Sequence, residues 1–266
     1  MRELGLRALA RLHLLRPAYA VYERARALRA SRRASLVTAD DGLPMPPPRL
    51  IVRVAGSSDP GWFLESGRRA AASVRELLAR CGVAVDDLGS ILDFGCGCGR
   101  VTRTWRDFRG SVSGSDRDRE AVDWSRERLP FAHFELNGLT PPLAFDDDSF
   151  DLVYALSVFT HLTEDLQRAW IRELHRVLRP GGYLVVSTHG EAYLPRLTPR
   201  ERERFRDGEL VVRWPQAAGT NLCGAYHPEA WLRSRLAHGF DVLAFETEGA
   251  RGNPQQDLSL LRRMPA

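Results

Sequence analysis

Apolar and polar positions follow two rhythms along this chain. Short apolar and β-branched runs at Ser90–Phe94, Ser111–Ser115, Phe131–Glu135, Phe150–Leu156 and Tyr183–Thr188 read as strands. The stretches Arg100–Phe108, Arg119–Leu129 and Thr163–Leu178 between them read as helices. A further helix is expected from about Trp62 to Cys81, closed by Gly82. Strands separated by helices predict a parallel, doubly wound α/β sheet. After Thr188 the regularity fails. Residues 195–207 read as a charged helix, 209–214 as a short strand and His227–Leu236 as a helix. Strands at Phe240–Glu246 and Asp257–Leu261 close the pattern.

The first 33 residues read as a helical arm, with Leu4, Ala8, Leu12 and Leu15 on one face and Pro17 breaking or kinking the run. Arginine interrupts the apolar positions every few residues, so no secretory signal is read here. The arm is expected to pack on its own domain or on a second subunit, with contact at a membrane surface as the other reading. Residues 40–50 are proline-rich and read as an extended connector. The division expected is therefore 1–50, arm and connector, and 51–266, one ligand-binding domain.

Composition narrows the chemistry. The chain has 266 residues, 44% of them hydrophobic and 27% charged, enough to bury a core without covalent staples. It has no lysine, and all 38 basic residues are arginine. Schiff-base chemistry, a P-loop lysine and a lysine general base are thereby excluded. Cysteines 81, 96, 98 and 223 form no CxxC pair, which argues against a zinc ribbon or a disulfide framework. Net charge is +4, but residues 1–33 carry +7 (nine Arg against Glu3 and Glu23), leaving −3 on the rest. A slightly acidic globular part argues against nucleic acid as a partner. No apolar run approaches the roughly 18 residues of a membrane span, and a cytoplasmic location is expected.

The strongest chemical signal is ILDFGCGCGR at 91–100, an apolar strand running into Asp93 and then Gly95, Gly97 and Gly99 on alternate positions. A turn at the carboxyl end of the first parallel strand is where doubly wound sheets bind ligands. Glycine lets the ligand approach the main chain. An acid at the strand end with glycines beyond it fits a ligand carrying a cation and a nucleoside. The spacing is not the dinucleotide GxGxxG, because Arg100 stands where its third glycine would be. Asp116 ends the second strand, 19 residues after Gly97, where a carboxylate can accept from two ribose hydroxyls. Asp118 reads as the cap of the following helix.

The segment D-x-G-x-G-x-G resembles motif I of class I S-adenosylmethionine (SAM)-dependent methyltransferases. The resemblance continues through FELNGLTPPLAF, DDDSFDLVYALSVFTHL and LQRAWIRELHRVLRPGGYLVVSTHG, and covers about residues 60–190. It implies a seven-stranded, mostly parallel sheet and SAM as cofactor. It implies that Asn137 reaches the adenine amino group, with Arg117 and Leu156 completing the cofactor set. In this fold the N-terminal helix commonly lies over the cofactor, so Trp62 is a further candidate contact. Ala155-Leu156-Ser157-Val158 stands where methylases of nucleobase amino groups carry Asn/Asp-Pro-Pro-aromatic, which argues against DNA or RNA amines as acceptors.

A hydroxyl or ammonium acceptor must lose a proton, so a base is expected. His161 follows the fourth strand and His189 the fifth, which puts both at the sheet's carboxyl edge. His227, beside Tyr226, lies in the irregular C-terminal part. Such a base would give activity rising through about pH 6–7. Asp146–Asp148 read as a solvated loop, and Cys96 and Cys98 as packing residues, so no metal is expected. The activity implied is methyl transfer to an oxygen or nitrogen of a small molecule. The alternatives are a SAM-binding fold with another reaction or a partner role, and a membrane-surface methyltransferase acting on a lipid or lipid-linked sugar. Homodimerisation through the arm is a further expectation.

Overall fold

The computed structural model describes residues 39–253 and 255–264, and residues 5–6, 9–10, 14–15, 17–19, 21–22 and 24–25 of the N-terminal segment. Its main elements are α1 (Pro48–Ala55), α2 (Pro60–Arg80), β1 (Ser90–Phe94), β2 (Ser111–Asp116), α3 (Arg119–Arg128), β3 (His133–Leu136) and β4 (Phe150–Ala155). Then come α4 (Glu164–Val177), β5 (Leu178–His189), α5 (Pro199–Arg206), β6 (Val211–Arg213), β7 (Gly224–Tyr226), β8 (Phe240–Glu246) and β9 (Gln256–Arg263).

Side-chain alternation along the central strands builds two cores, one on each face of the sheet. Leu92 and Phe94 of β1 and Val153 of β4 turn to one face, where Trp170, Ile171 and Leu174 of α4 cover them. Ile91, Leu152 and Tyr154 turn to the other, under Val74, Leu77 and Leu78 of α2. β1 pairs in parallel with β2 and β4, and β3 and β5 extend the parallel sheet on either side. β9 runs antiparallel to β5 from Tyr183 to His189, and β8 pairs antiparallel with β9.

The architecture is the doubly wound α/β fold expected, with nine strands where seven were expected. The extra pair is β6 and β7, an antiparallel ribbon joined to β5 by the register pair His189↔Tyr226. β6 falls within the short strand expected over 209–214, whereas β7, three residues with too little alternation to be read, was not predicted.

Two other expectations are corrected. The proline-rich connector ends in a helix, because Pro48 occupies the first turn of α1, where a missing N–H costs nothing. The helix expected over Arg100–Phe108 shrinks to a 3₁₀ turn at Thr102–Trp105. There the Thr102 hydroxyl bonds Asp93 and the Thr104 hydroxyl bonds the Val101 carbonyl, competing with a regular helix. In the arm, the described residues are helical apart from Leu14, and Leu15 is buried. Pro17 falls within a stretch where Ala18 N–H still reaches the Leu14 carbonyl. Leu4, Ala8 and Leu12 lie outside the described residues.

Candidate active site

Beyond Phe94 the chain turns through Gly95, Gly97 and Gly99, with φ of +85°, +54° and +75°. A Cβ on Gly97 would lie 2.5 Å from Val54 Cγ2, so the turn lies bare beneath α1. Asp116 fixes this turn by accepting the Gly97 N–H and the Asp118 N–H, each at 2.8 Å. Asp118 is the N-cap of α3, accepting from the Glu120 N–H at 3.1 Å. Asp93 is buried and takes the Thr102 hydroxyl at 2.6 Å. Burial lifts its carboxyl to about 6, against the opposing pull of the Thr102 bond, and burial also raises Asp116.

A cavity of about 1480 Å³ opens over these strand ends. Over β1, β2 and β3 it is lined by Asp93, Gly95, Gly97, Asp116, Arg117 and Asn137. Trp62 and Leu156 line it as well, while Phe63, next to Trp62, is fully buried in the core. Over β4, β5 and β7 it is lined by His161, His189 and Tyr226. From the arm, Tyr19, Tyr22 and Arg24 line it too. Gly99 does not line it. A Cβ there would strike Leu129 at 2.3 Å, so this glycine serves packing. Nor does His227, which is buried against Trp231 with Nε2 3.1 Å from Gln167 Oε1.

The groups over β1–β3 suit a nucleoside with an amino-acid tail. Each Asp116 oxygen already takes one backbone N–H and keeps acceptor capacity for a ribose diol. Asn137 Oδ1 takes the Ser115 hydroxyl at 2.7 Å and has a second lone pair for an exocyclic amine. The Asp93 carboxylate can meet an ammonium. Arg100 and Asn253 face the same space, bonded to each other at 2.7 Å. The Asn253 Nδ2 is buried with no partner among the described residues, a donor awaiting an acceptor.

Over β4–β7 the two histidines are held alike. His161 Nδ1 lies 2.8 Å from the Cys223 carbonyl, and His189 Nδ1 lies 3.2 Å from the Ala225 carbonyl. A carbonyl only accepts, so both Nδ1 atoms donate and each Nε2 keeps its lone pair. Burial lowers His161, opposed by its bond to Cys223. Burial, helped by His161, His227 and Arg196, pushes His189 down to about 2. Both imidazoles are therefore neutral near pH 7. The rise in activity expected through pH 6–7 does not follow, because burial moves the titration to lower pH.

Several lining residues carried no signal of function. Ser157, at the end of β4, has φ +62°, a conformation that β-carbon sterics disfavour. Its N–H donates to Ser187 Oγ at 2.7 Å and its hydroxyl takes Gln256 Nε2 at 2.9 Å. Gln256 arrives from β9, 99 residues away, so no local motif links the pair. Its position just beyond a parallel strand was the one available clue to Ser157. Arg196, inside a segment read only as charged helix, also lines the cavity.

Asp147 is paired with Arg176 and Asp148 with Arg263. Among the described residues no cluster of three His, Cys, Asp or Glu is placed to hold a metal ion, and no helix is long and apolar enough to cross a membrane.

Comparison with known proteins agrees with this geometry. Residues 92–186 match the family described as methyltransferase domain. A protein of Mycolicibacterium smegmatis named probable S-adenosylmethionine-dependent methyltransferase is 32% identical over 184 residues, 66% of this chain and 70% of that one. A malonyl-[acyl-carrier protein] O-methyltransferase of Salmonella typhimurium is 33% identical over 108 residues, 41% of this chain and 42% of its own. The chain spans about half the length of the first curated relatives that it matches. A solved SAM-dependent methyltransferase from Methanosarcina mazei shares the fold, with a TM-score of 0.51 at 23% identity, covering 68% of this chain and 94% of that one. With the glycine turn, Asp116 and the strand order in place, the chain belongs to the SAM-dependent methyltransferase family, with the class I fold.

Proposed function

We propose that this chain transfers a methyl group from SAM to an oxygen or nitrogen of a small-molecule acceptor, releasing S-adenosylhomocysteine. The observation that carries the reading is the continuity of the cavity. Asp116 and the glycine turn line it together with His161, His189 and Tyr226. Its volume of about 1480 Å³ exceeds the roughly 300–1,000 Å³ of a usual small-molecule site, leaving room for two reactants.

Bound SAM supplies an electrophilic methyl on a sulfonium. Asp116 would hold the ribose, Asn137 the adenine edge, and Asp93, Arg100 and Asn253 the charged tail. Trp62 and Leu156 would flank the cofactor, with Arg117 at the rim. The chain's remaining contribution is orientation, which is worth up to about 7–11 kcal/mol when reacting atoms are held in line. The division at residue 50 is part of the same reading, with the arm closing the cavity through Tyr19, Tyr22 and Arg24. That contact favours the arm packing on its own domain over the membrane and dimer readings. The relatives named as malonyl-[acyl-carrier protein] O-methyltransferases favour oxygen as the atom methylated.

The test is calorimetric titration with SAM, followed by incubation with mixed hydroxyl, amine and carboxylate acceptors while S-adenosylhomocysteine is measured. SAM binding with acceptor-dependent product supports the reading. Absence of SAM binding ends it.

A further inference from the structure

The acceptor half of the cavity has an unusual charge balance. The carboxylates lining the cavity are Asp93 and Asp116, at the cofactor end, and Asp118 and Glu120. Arg53 pairs with Asp118 at 2.7 Å and with Glu120 at 3.0 Å, and Arg49 also pairs with Glu120. None of the four stands over β4, β5 or β7. Arg196 does stand there, its guanidinium 4.4 Å above the centre of the Tyr193 ring. Tyr193 stacks in turn on His189 at 3.9 Å. Among the described residues Arg196 has no carboxylate partner. Of the acids on this side, Asp257 accepts the Glu248 N–H at 3.0 Å, and Glu201 lies 3.4 Å from Arg213.

We infer that the acceptor is a carboxylate, seated on Arg196 and methylated on oxygen as the anion. The inference rests on the methyltransferase reading and names its substrate class. Arginine matches a carboxylate with paired N–H donors, and the exposed Arg196 guanidinium is held in place over the Tyr193 ring. A carboxylate also removes the need for a base. One oxygen lone pair forms the O–CH₃ bond, and the S–CH₃ bond breaks with its electron pair passing to sulfur. Anion and sulfonium become a neutral ester and a neutral thioether, and no proton moves. The opposite charges of anion and sulfonium cancel as the bond forms, and their attraction favours the bound pair. His161 and His189, held neutral with their single N–H on backbone carbonyls, would then serve as packing groups beside the carboxylate rather than as bases.

The experiment is calorimetry on the full chain loaded with S-adenosylhomocysteine, titrated with octanoate and benzoate and with their primary amides. We expect at least one carboxylate to bind about tenfold or more tightly than its amide. Arg196→Gln should erase that difference while SAM affinity stays unchanged, and Arg196→Lys should restore part of it. The carboxylate that binds is then incubated with SAM carrying a tritiated methyl. Label released as methanol by mild alkali marks the ester. If SAM itself does not bind, the methyltransferase reading fails. If SAM binds but acid and amide behave alike, or Arg196→Gln changes nothing, or no alkali-labile label forms, only the carboxylate inference falls.

Discussion

The imidazole of His189 lies on the phenol ring of Tyr193, with centroids 3.9 Å apart and planes 26° apart. Tyr226 approaches the same imidazole at 5.5 Å. Solvent is therefore kept from the ring, which is why its pKa falls to about 2. A group lowered this far stays neutral at every pH above that value. With cofactor and acceptor saturating, kcat should change by no more than about twofold between about pH 5.5 and 8. A step near pH 6–7 in the rate profile would mean an imidazole titrating at its ordinary value.

Asp93 gives the opposite dependence, in binding. Its carboxyl is raised to about 6, so it is largely neutral below that pH and charged above it. Only the charged form attracts an ammonium. SAM affinity should rise as pH increases from about 5 to 7, by up to about tenfold per unit below pH 6. Calorimetry across that range checks it, and Asp93→Asn should be weak and flat.

Asp116→Ala removes acceptors for two hydroxyls and also frees the Gly97 N–H. SAM affinity should fall by about 1.5–3 kcal/mol. Unchanged calorimetric binding would remove the ribose role from this residue.

Gly97→Ala tests the turn itself. The added carbon would meet Val54 Cγ2 at 2.5 Å with φ at +54°, a left-handed conformation that costs an L-residue about 1–2 kcal/mol. A lower Tm together with weaker SAM binding is expected from a thermal-shift titration.

His227 is predicted to govern acid stability rather than catalysis. Its pKa is lowered to about 3 by burial, below its unfolded value of about 6.5. Between those values the unfolded chain binds a proton that the folded chain refuses, so stability drops as pH falls from about 6 towards 3. Replacing His227 by Gln should lessen that slope by about 1.4 kcal/mol per pH unit. Urea unfolding of apo protein at several pH values measures it.

Much of the cofactor half was legible because it is local. The run from Ile91 to Arg100 contains its own strand, turn and glycines, and Asp116 follows at the end of the next strand. β1 occupies the residues expected, Ser90–Phe94. The acceptor half was opaque because it is assembled from distant pieces. Gln256 meets Ser157 across 99 residues, and Cys223 meets His161 across 62. Periodicity placed His161 and His189 at the correct edge of the sheet. It could not show that burial would lower the pKa of both, with stacking on Tyr193 adding to the burial of His189. It also treated Gly99 and His227 like their neighbours, whereas packing turns Gly99 towards Leu129 and His227 towards Gln167.

The ribbon of β6 and β7 pairs with the parallel sheet through one register pair, His189↔Tyr226, while β9 pairs with β5 from Tyr183 through the same His189. Its strand pairing with the sheet is therefore small, and other bonds hold the segment: Arg117 donates to the Gly219 carbonyl, Asn221 to the Arg53 carbonyl and His161 to the Cys223 carbonyl. Residues 190–226 bring Tyr193, Arg196, Cys223 and Tyr226 to the acceptor side, while the strands that present Asp93 and Asp116 keep their strand partners whatever this segment carries. A scaffold wired in this way can change its acceptor by changing one segment, provided the Gly219 carbonyl that holds Arg117 is kept.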